Sequence, residues 1–421
     1  MGTRGALREQ RAGRLPGARW GLSFAAVFLM GLVVGSGPAA GQPIKIGFIG
    51  ELSGLLAQYG EDSLRAAELF VEQTNQRGGV LGRKVELIVR DDKTRPDEAV
   101  RHARDLIFAE RVDFLVHSIS SFACLGVSEV AKQARKLVFS SCAIDDFTIE
   151  KGHPYAFRIP NIITRTQGRA AAQYAATHFP QKKRYYLIGH DFSFGRRTIE
   201  FFKGKLRELV PGAEIVGEAW PKLGETNYAP YITSILNARP DVLMFVMATA
   251  IPFFTQAQPY GLTQKMEVLS AYWGGSDEMR ILKREHLPVG AIVGGFPWYG
   301  MDNPLNRAFV ADFKKKHGRE PRTASYFISI TLEFLTEAIR RAGTIETEKV
   351  IEKLEGMALE TAVGKVTLRP GDHQGTTPHW MGKVQYDGRL GYGVLTSLVQ
   401  VPAEQFLPGP AELQRIRQQA R

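Results

Sequence analysis

The chain has 421 residues, 44% of them hydrophobic and 23% charged, with a formal net charge of +11. That length and apolar content suffice for a large buried core and point to a soluble globular protein of two domains. Its basic excess is scattered, with only short clusters such as Lys182-Lys183-Arg184 and Lys314-Lys315-Lys316; without an aromatic-interleaved basic stripe, nucleic acid is excluded as an expected partner.

Residues 1–41 read as a targeting segment. Arg4, Arg8, Arg11, Arg14 and Arg19 form a positive start, Leu22 to Val34 is an apolar run, and the small residues GSGPAAG follow, the layout of a secretory signal peptide cleaved near Ala40 or Gly41. The apolar run falls short of the ~20 residues that span a bilayer, which argues against an uncleaved anchor. Cleavage would lower the net charge from +11 to +7, and no cysteine near it offers a lipid attachment point.

The stretch Ile44 to Asp92 organises the rest. An unbroken apolar strand, IKIGFIG, runs into the loop ELSGLLAQYG, an amphipathic segment, the turn RGGVLGR and a second strand, KVELIVRDD. This is a βαβ unit of a parallel sheet covered on both faces, so a site is expected just past its strand ends, from Glu51 to Gly60. A helix with Ala99, Ala103, Leu106 and Ile107 on its apolar stripe follows, then strand VDFLVHS, the loop Ile119-Ser120-Ser121, a helix, and strand LVFSSCA. Four strands at this spacing predict a doubly wound α/β lobe. A second lobe begins near Tyr155 to Pro160 and repeats the alternation from RYYLIGHD to AIVGGFPWY. Two long helical segments come next, then a glycine- and turn-rich stretch from Gly364 that suits short antiparallel strands. The residues after Pro402 read as a loosely attached tail. Cys124 and Cys142, the two cysteines, either pair in an exported protein or are two separate buried residues.

The run IKIGFIGELSGLLAQYG, the turn NQRGGVLGRKVELIVRDD, strand VDFLVHSISS, the motif LIGHDFSFGR and the late segment TLRPGDHQG resemble the exported substrate-binding proteins of branched-chain amino acid type ABC importers. These are type I periplasmic binding proteins, and the resemblance covers Pro43 to about Val401. It implies two doubly wound α/β lobes joined by crossover hinge segments, with ligand held between them by closure. The expected division is a signal peptide over 1–41, a first lobe from 43–157 plus 298–360, a second from 158–297 plus 361–400, and a C-terminal extension, 401–421.

The resemblance also nominates residues. Ser120 and Ser121 lie between a strand and a helix, where hydroxyls and backbone N–H groups converge on an anion; the family serine matching Ser121 holds a ligand carboxylate, and an N-cap is the plain alternative. Cys142 and Ala143 match backbone contacts at the next strand end. Asp145 and Asp146 are acidic turn residues that would face a positive group or simply shape the turn. Tyr59 matches an aromatic wall, and Phe194 stands where relatives carry a tyrosine. Ala248 and Thr249 replace an aromatic, with Thr249 retained as a candidate contact. Tyr272 or Trp273 replaces the glutamate that neutralises a ligand ammonium, and both rings are candidate contacts.

Losing that glutamate leaves an α-ammonium unpaired, which is costly when buried. The expected ligand is therefore a small carboxylate with an aromatic or aliphatic body, with a branched-chain amino acid as the alternative. No phosphate loop, GxGxxG after the first strand, HExxH or GxSxG motif supports an enzyme; His373 and His379 are too isolated for a metal site, and Asp372-His373-Gln374 reads as a structural turn. No cofactor and no metal is expected. The reading is a monomeric, periplasmic binding component that delivers its small-molecule ligand to membrane permease subunits. A ligand-sensing module is the alternative; no signalling domain or transmembrane helix is visible in the sequence.

Overall fold

The structure, a computed structural model, describes residues 41–160, 162–270, 272 and 277–420. The expected signal peptide thus lies outside the described residues, apart from Gly41. Fourteen strands occur among the described residues: β1 (Ile44–Gly50), β2 (Val85–Asp91), β3 (Phe114–His117), β4 (Val138–Ser140), β5 (Ala156–Phe157), β6 (Arg184–Gly189), β7 (Glu214–Ala219), β8 (Val242–Val246), β9 (Glu267–Ser270), β10 (Ile292–Gly295), β11 (Ala358–Thr361), β12 (Gly364–Thr367), β13 (His379–Asp387) and β14 (Tyr392–Val401).

Two main sheets result, one per lobe. The first has the order β2-β1-β3-β4-β5 and the second β14-β13-β10-β9-β8-β6-β7. The first is parallel throughout, with β1 inside it, paired to β2 with Ile44 opposite Val85 and to β3 with Ile46 opposite Phe114. Ile44, Ile46, Phe48 and Ile49 are all buried, as an apolar strand covered on both faces requires. The Ala57–Gln76 helix covers one face with Ala67, turns Ala66 and Leu69 toward Phe313 of the Pro304–His317 helix, and packs on the Thr323–Ala342 helix. In the second sheet β13 and β14 add an antiparallel edge beside β10.

Strand ends turn tightly into helices in both lobes. A Cβ at Gly60 would lie 2.2 Å from the Glu51 carbonyl oxygen, and one at Gly195 would lie 2.2 Å from that of His190. Only glycine lets each helix approach its strand-end loop so closely.

The crossover between lobes is organised by Arg158, whose side chain is wholly buried. Its guanidinium donates to the carbonyls of Cys142 (2.6 Å) and Ile144 (2.7 Å), to Thr148 Oγ1 (2.7 Å) and to Gln374 Oε1 (2.7 Å). Gln374 in turn donates to the Pro160 carbonyl at 3.1 Å. The DHQ turn thus locks one crossover to another. His373 stacks on Phe157 at 4.0 Å between ring centroids and sits 3.0 Å from Glu355, consistent with a structural role.

Three features depart from expectation. A fifth strand, β5, extends the first sheet where the sequence suggested the start of the second lobe; two residues are too few to show a period. The Thr347–Leu354 helix falls in a stretch read without an element. The tail is not loose: a helix over Pro410–Gln419 buries Leu413, with Leu407, against Ile149 and Ile163. Arg417 donates to the carbonyls of Thr148 and Ile149, and Glu412 pairs with Arg165 at 3.0 Å. Those contacts lie far away in sequence, so local composition gave no sign of them.

Candidate functional site

The C-terminal ends of the parallel strands of both sheets face one cleft, where open α/β sheets place their ligands. The first lobe supplies Leu56 and Tyr59 after β1, Ile119 and Ser121 after β3, and Ala143 after β4. The second supplies Phe192 and Phe194 after β6, Met247 and Ala248 after β8, and Tyr272 after β9. Ile162, Gln167, Ala324 and Phe327 complete the wall of a cavity of about 60 Å³. Its lining is mostly apolar, with the Ser121 and tyrosine hydroxyls, the Gln167 amide and backbone groups as its polar atoms. None of the lining residues among those described is charged.

Tyr59 spans the cleft, its hydroxyl donating to the Ala248 carbonyl at 2.9 Å. Burial pushes its phenol well above the usual range, with Glu278 adding in the same direction. The Ala248 N–H donates to His190 Nδ1 (3.1 Å), and His190 Nε2 lies 3.0 Å from the Tyr228 hydroxyl. An accepting Nδ1 requires a neutral imidazole, and burial depresses the His190 pKa to about 4. On the first lobe the Ala143 N–H donates to Ser121 Oγ at 3.2 Å, which leaves the serine O–H able to donate to a ligand. Gln167 donates from Nε2 to the Ile162 carbonyl, while its buried Oε1 has no hydrogen-bond partner. The cavity therefore offers a hydroxyl donor on one side and an amide acceptor on another.

Of the residues nominated from sequence, the structure gathers Tyr59, Ser121, Ala143, Phe194 and Tyr272 around this cavity. Ser121 is no helix cap: the helix runs over Cys124–Gln133 with Ala123 at its N-cap. Ser120 is not among the lining residues; its N–H donates to Glu51 Oε1 at 2.6 Å. Cys142 is bonded to Cys124 in a disulfide with a Cα–Cα distance of 6.3 Å. Its N–H donates to Ser140 Oγ and its carbonyl accepts from Arg158, so those groups are already used. Thr249 is not among the lining residues, and Trp273 lies outside the described residues. Asp145 is committed to Arg165, at 3.0 Å, and Asp146 to Lys151, at 3.7 Å.

Several wall residues were missed. Phe192 sits two positions before Phe194 in the same turn, and Ile119 within the polar loop, so both were legible as neighbours of nominated residues. Ala324 and Phe327 come from a distant helix read only as an outer helix. Asp277 and Glu278, four and five residues past Trp273 in sequence, are buried near the cleft. Burial raises Asp277 to about 6; it accepts from the Thr323 N–H, and Glu278 accepts the Ala250 N–H at 2.8 Å.

Known proteins share this architecture. A family profile described as periplasmic binding protein matches residues 43–389. A relative named Leu/Ile/Val-binding protein homolog 7, from Brucella suis biovar 1 (strain 1330), is 25% identical over 383 residues, covering 87% of this chain and 94% of its own. The amino acid ABC transporter substrate-binding protein from Pseudomonas fluorescens Pf-5 matches with a TM-score of 0.80 at 23% identity, over 89% of this chain and 98% of that one. A solute-binding protein of an ABC transporter from Rhodopseudomonas palustris BisB5, solved in complex with 3,4-dihydroxybenzoic acid, matches with a TM-score of 0.75 at 21% identity, over 85% and 97% of the two chains. By profile and by fold, this chain belongs to the type I periplasmic binding proteins.

Proposed function

We propose that the protein is the exported binding component of an ABC importer, capturing a small carboxylate with an aromatic or aliphatic body and delivering it to membrane permease subunits. The observation that carries the ligand class is the cavity wall: apolar and aromatic, with no charged lining residue among those described. A buried α-ammonium would need an anionic partner, whereas a carboxylate can be met by the Ser121 hydroxyl. The Rhodopseudomonas palustris relative bound to 3,4-dihydroxybenzoic acid supports the same class. Gln167 Oε1 suits a hydrogen-bond donor, such as a phenol, away from the carboxylate end. The cavity's size favours a single ring or a short chain, seated as the lobes part slightly.

In this reading the first lobe comprises 43–157 plus 298–360 and the second 158–297 plus 361–400, and ligand stabilises the closed arrangement because its contacts on both lobes coexist only there. The test is a thermal-shift screen with benzoate, 4-hydroxybenzoate, 3,4-dihydroxybenzoate, isovalerate, leucine and valine. A ligand at 100 times its Kd should stabilise the fold by about 2.7 kcal/mol. Stabilisation by the acids supports the reading; a response confined to leucine and valine overturns the ligand class.

A further inference from the structure

Three buried side chains beneath the cleft converge without completing one another's hydrogen bonds. Glu51 follows β1, Asp92 follows β2 and His117 ends β3, so the order β2-β1-β3 brings their strand ends together. All three are 0% exposed. One ligand-capable atom from each, a carboxylate oxygen of Glu51 and of Asp92 and an imidazole nitrogen of His117, all lie within 4.8 Å of one another.

Each side chain is held by its outer atom. Glu51 Oε1 accepts the N–H groups of Ile119 (3.2 Å) and Ser120 (2.6 Å), Asp92 Oδ1 accepts that of Thr94 (2.8 Å), and His117 Nδ1 lies 2.8 Å from Ser140 Oγ. The second atom of each, Glu51 Oε2, Asp92 Oδ2 and His117 Nε2, is buried and has no hydrogen-bond partner among the described residues. Asp92 Oδ2 and His117 Nε2 stand 4.0 Å apart. Among the described residues no Lys or Arg pairs with either carboxylate.

We propose that Glu51, Asp92 and His117 form a binding site for one divalent transition-metal ion. Two carboxylates and a neutral imidazole present two negative charges and three donor atoms to a doubly positive ion, and this donor set suits zinc or manganese better than the all-oxygen preference of calcium and magnesium. Donor bonds of about 2.0–2.2 Å require the atoms to draw in by roughly 1 Å or less. The outer hydrogen bonds are of the kind that orient metal ligands: Nδ1 donating to Ser140 Oγ would fix the tautomer that turns the Nε2 lone pair to the ion. The ion would tie three strand ends together, and through Glu51 it would steady the N–H groups of the Ile119-Ser120 loop next to the ligand cavity.

The test is isothermal titration of the untagged, chelator-treated protein with Zn²⁺ and, separately, Mn²⁺, together with anomalous diffraction from crystals soaked in the same ions. The expected result is one ion per chain for at least one metal, with its anomalous peak between the three side chains. Glu51→Gln and His117→Gln should each weaken binding at least tenfold, and Ser140→Ala, which reaches the ion only by way of His117 and also frees the Cys142 N–H, by roughly 10–100-fold. His178→Gln, at an exposed histidine, should change nothing. Absence of binding, a peak elsewhere, or affinity indifferent to Glu51→Gln and His117→Gln would overturn the proposal and leave protons or water satisfying the carboxylates. If the substituted proteins fail to fold, the anomalous map of the unsubstituted protein decides.

Discussion

Ser121 and His190 show how single side chains set the cleft's chemistry from opposite lobes. Ser121 keeps its proton for the ligand because its oxygen is already held by the Ala143 N–H. Ser121→Ala should therefore weaken binding of a carboxylate by roughly 1–3 kcal/mol, measured by calorimetry, as the anion loses a buried donor. His190 is held neutral. Its folded pKa of about 4 lies below the usual 6.5, so the unfolded chain binds the proton more tightly. The stability held above pH 6.5 falls as pH drops toward 4, by about 1.4 kcal/mol per unit. His117, depressed to about 3 by burial, and His153, to about 4, act in the same sense. Urea unfolding between pH 4.5 and 6.5 should show a shallower pH dependence for His190→Gln than for the unsubstituted protein. An unchanged slope would remove His190 from the set of buried titrating groups.

At the scale of elements, the sequence was most informative where one element carries its own signal. The unbroken apolar β1, the glycine-bearing turns after β1 and β6, and the amphipathic 3.6-residue periods of the covering helices announce a doubly wound sheet without help from the rest of the chain. β5 escaped because two residues have no period, and the C-terminal helix because its partners, Ile149 and Ile163, are some 250 residues away in sequence. The cleft divides the same way. Tyr59, Ser121 and Ala143 were legible because the family resemblance, together with a place just past the strand ends, marks them, whereas Ala324 and Phe327 reach the cavity only through tertiary packing. Cys142 illustrates the converse: its strand-end position suggested a ligand contact, but the disulfide and Arg158 occupy its polar groups. The docked tail makes a prediction of its own. Leu413→Ala should destabilise the protein by about 2 kcal/mol, seen in chemical denaturation, since it empties a small satellite core of a well-packed residue. A tail that merely rested on the surface would give no measurable change.

For the whole molecule, the Tyr59–Ala248 hydrogen bond is the clearest link across the cleft. A bond that exists only when the lobes meet favours the closed population by its own free energy. Tyr59→Phe should weaken ligand binding by about 1 kcal/mol, mainly by faster dissociation. Small-angle scattering should show the radius of gyration falling on saturation of the unsubstituted protein with ligand. An unaltered dissociation rate in Tyr59→Phe would assign the hydroxyl to packing alone.

The C-terminal helix touches both flanks of the Arg158 crossover. Its Arg417 holds the carbonyls of Thr148 and Ile149 before that crossover, and its Glu412 holds Arg165 after it. A segment fastened at both ends of a flexing joint works like a splint. If the lobes hinge at this crossover, the angle through which the jaws swing is bounded by how far these few bonds stretch, and the last residues of the chain restrain a mouth to which they contribute no wall.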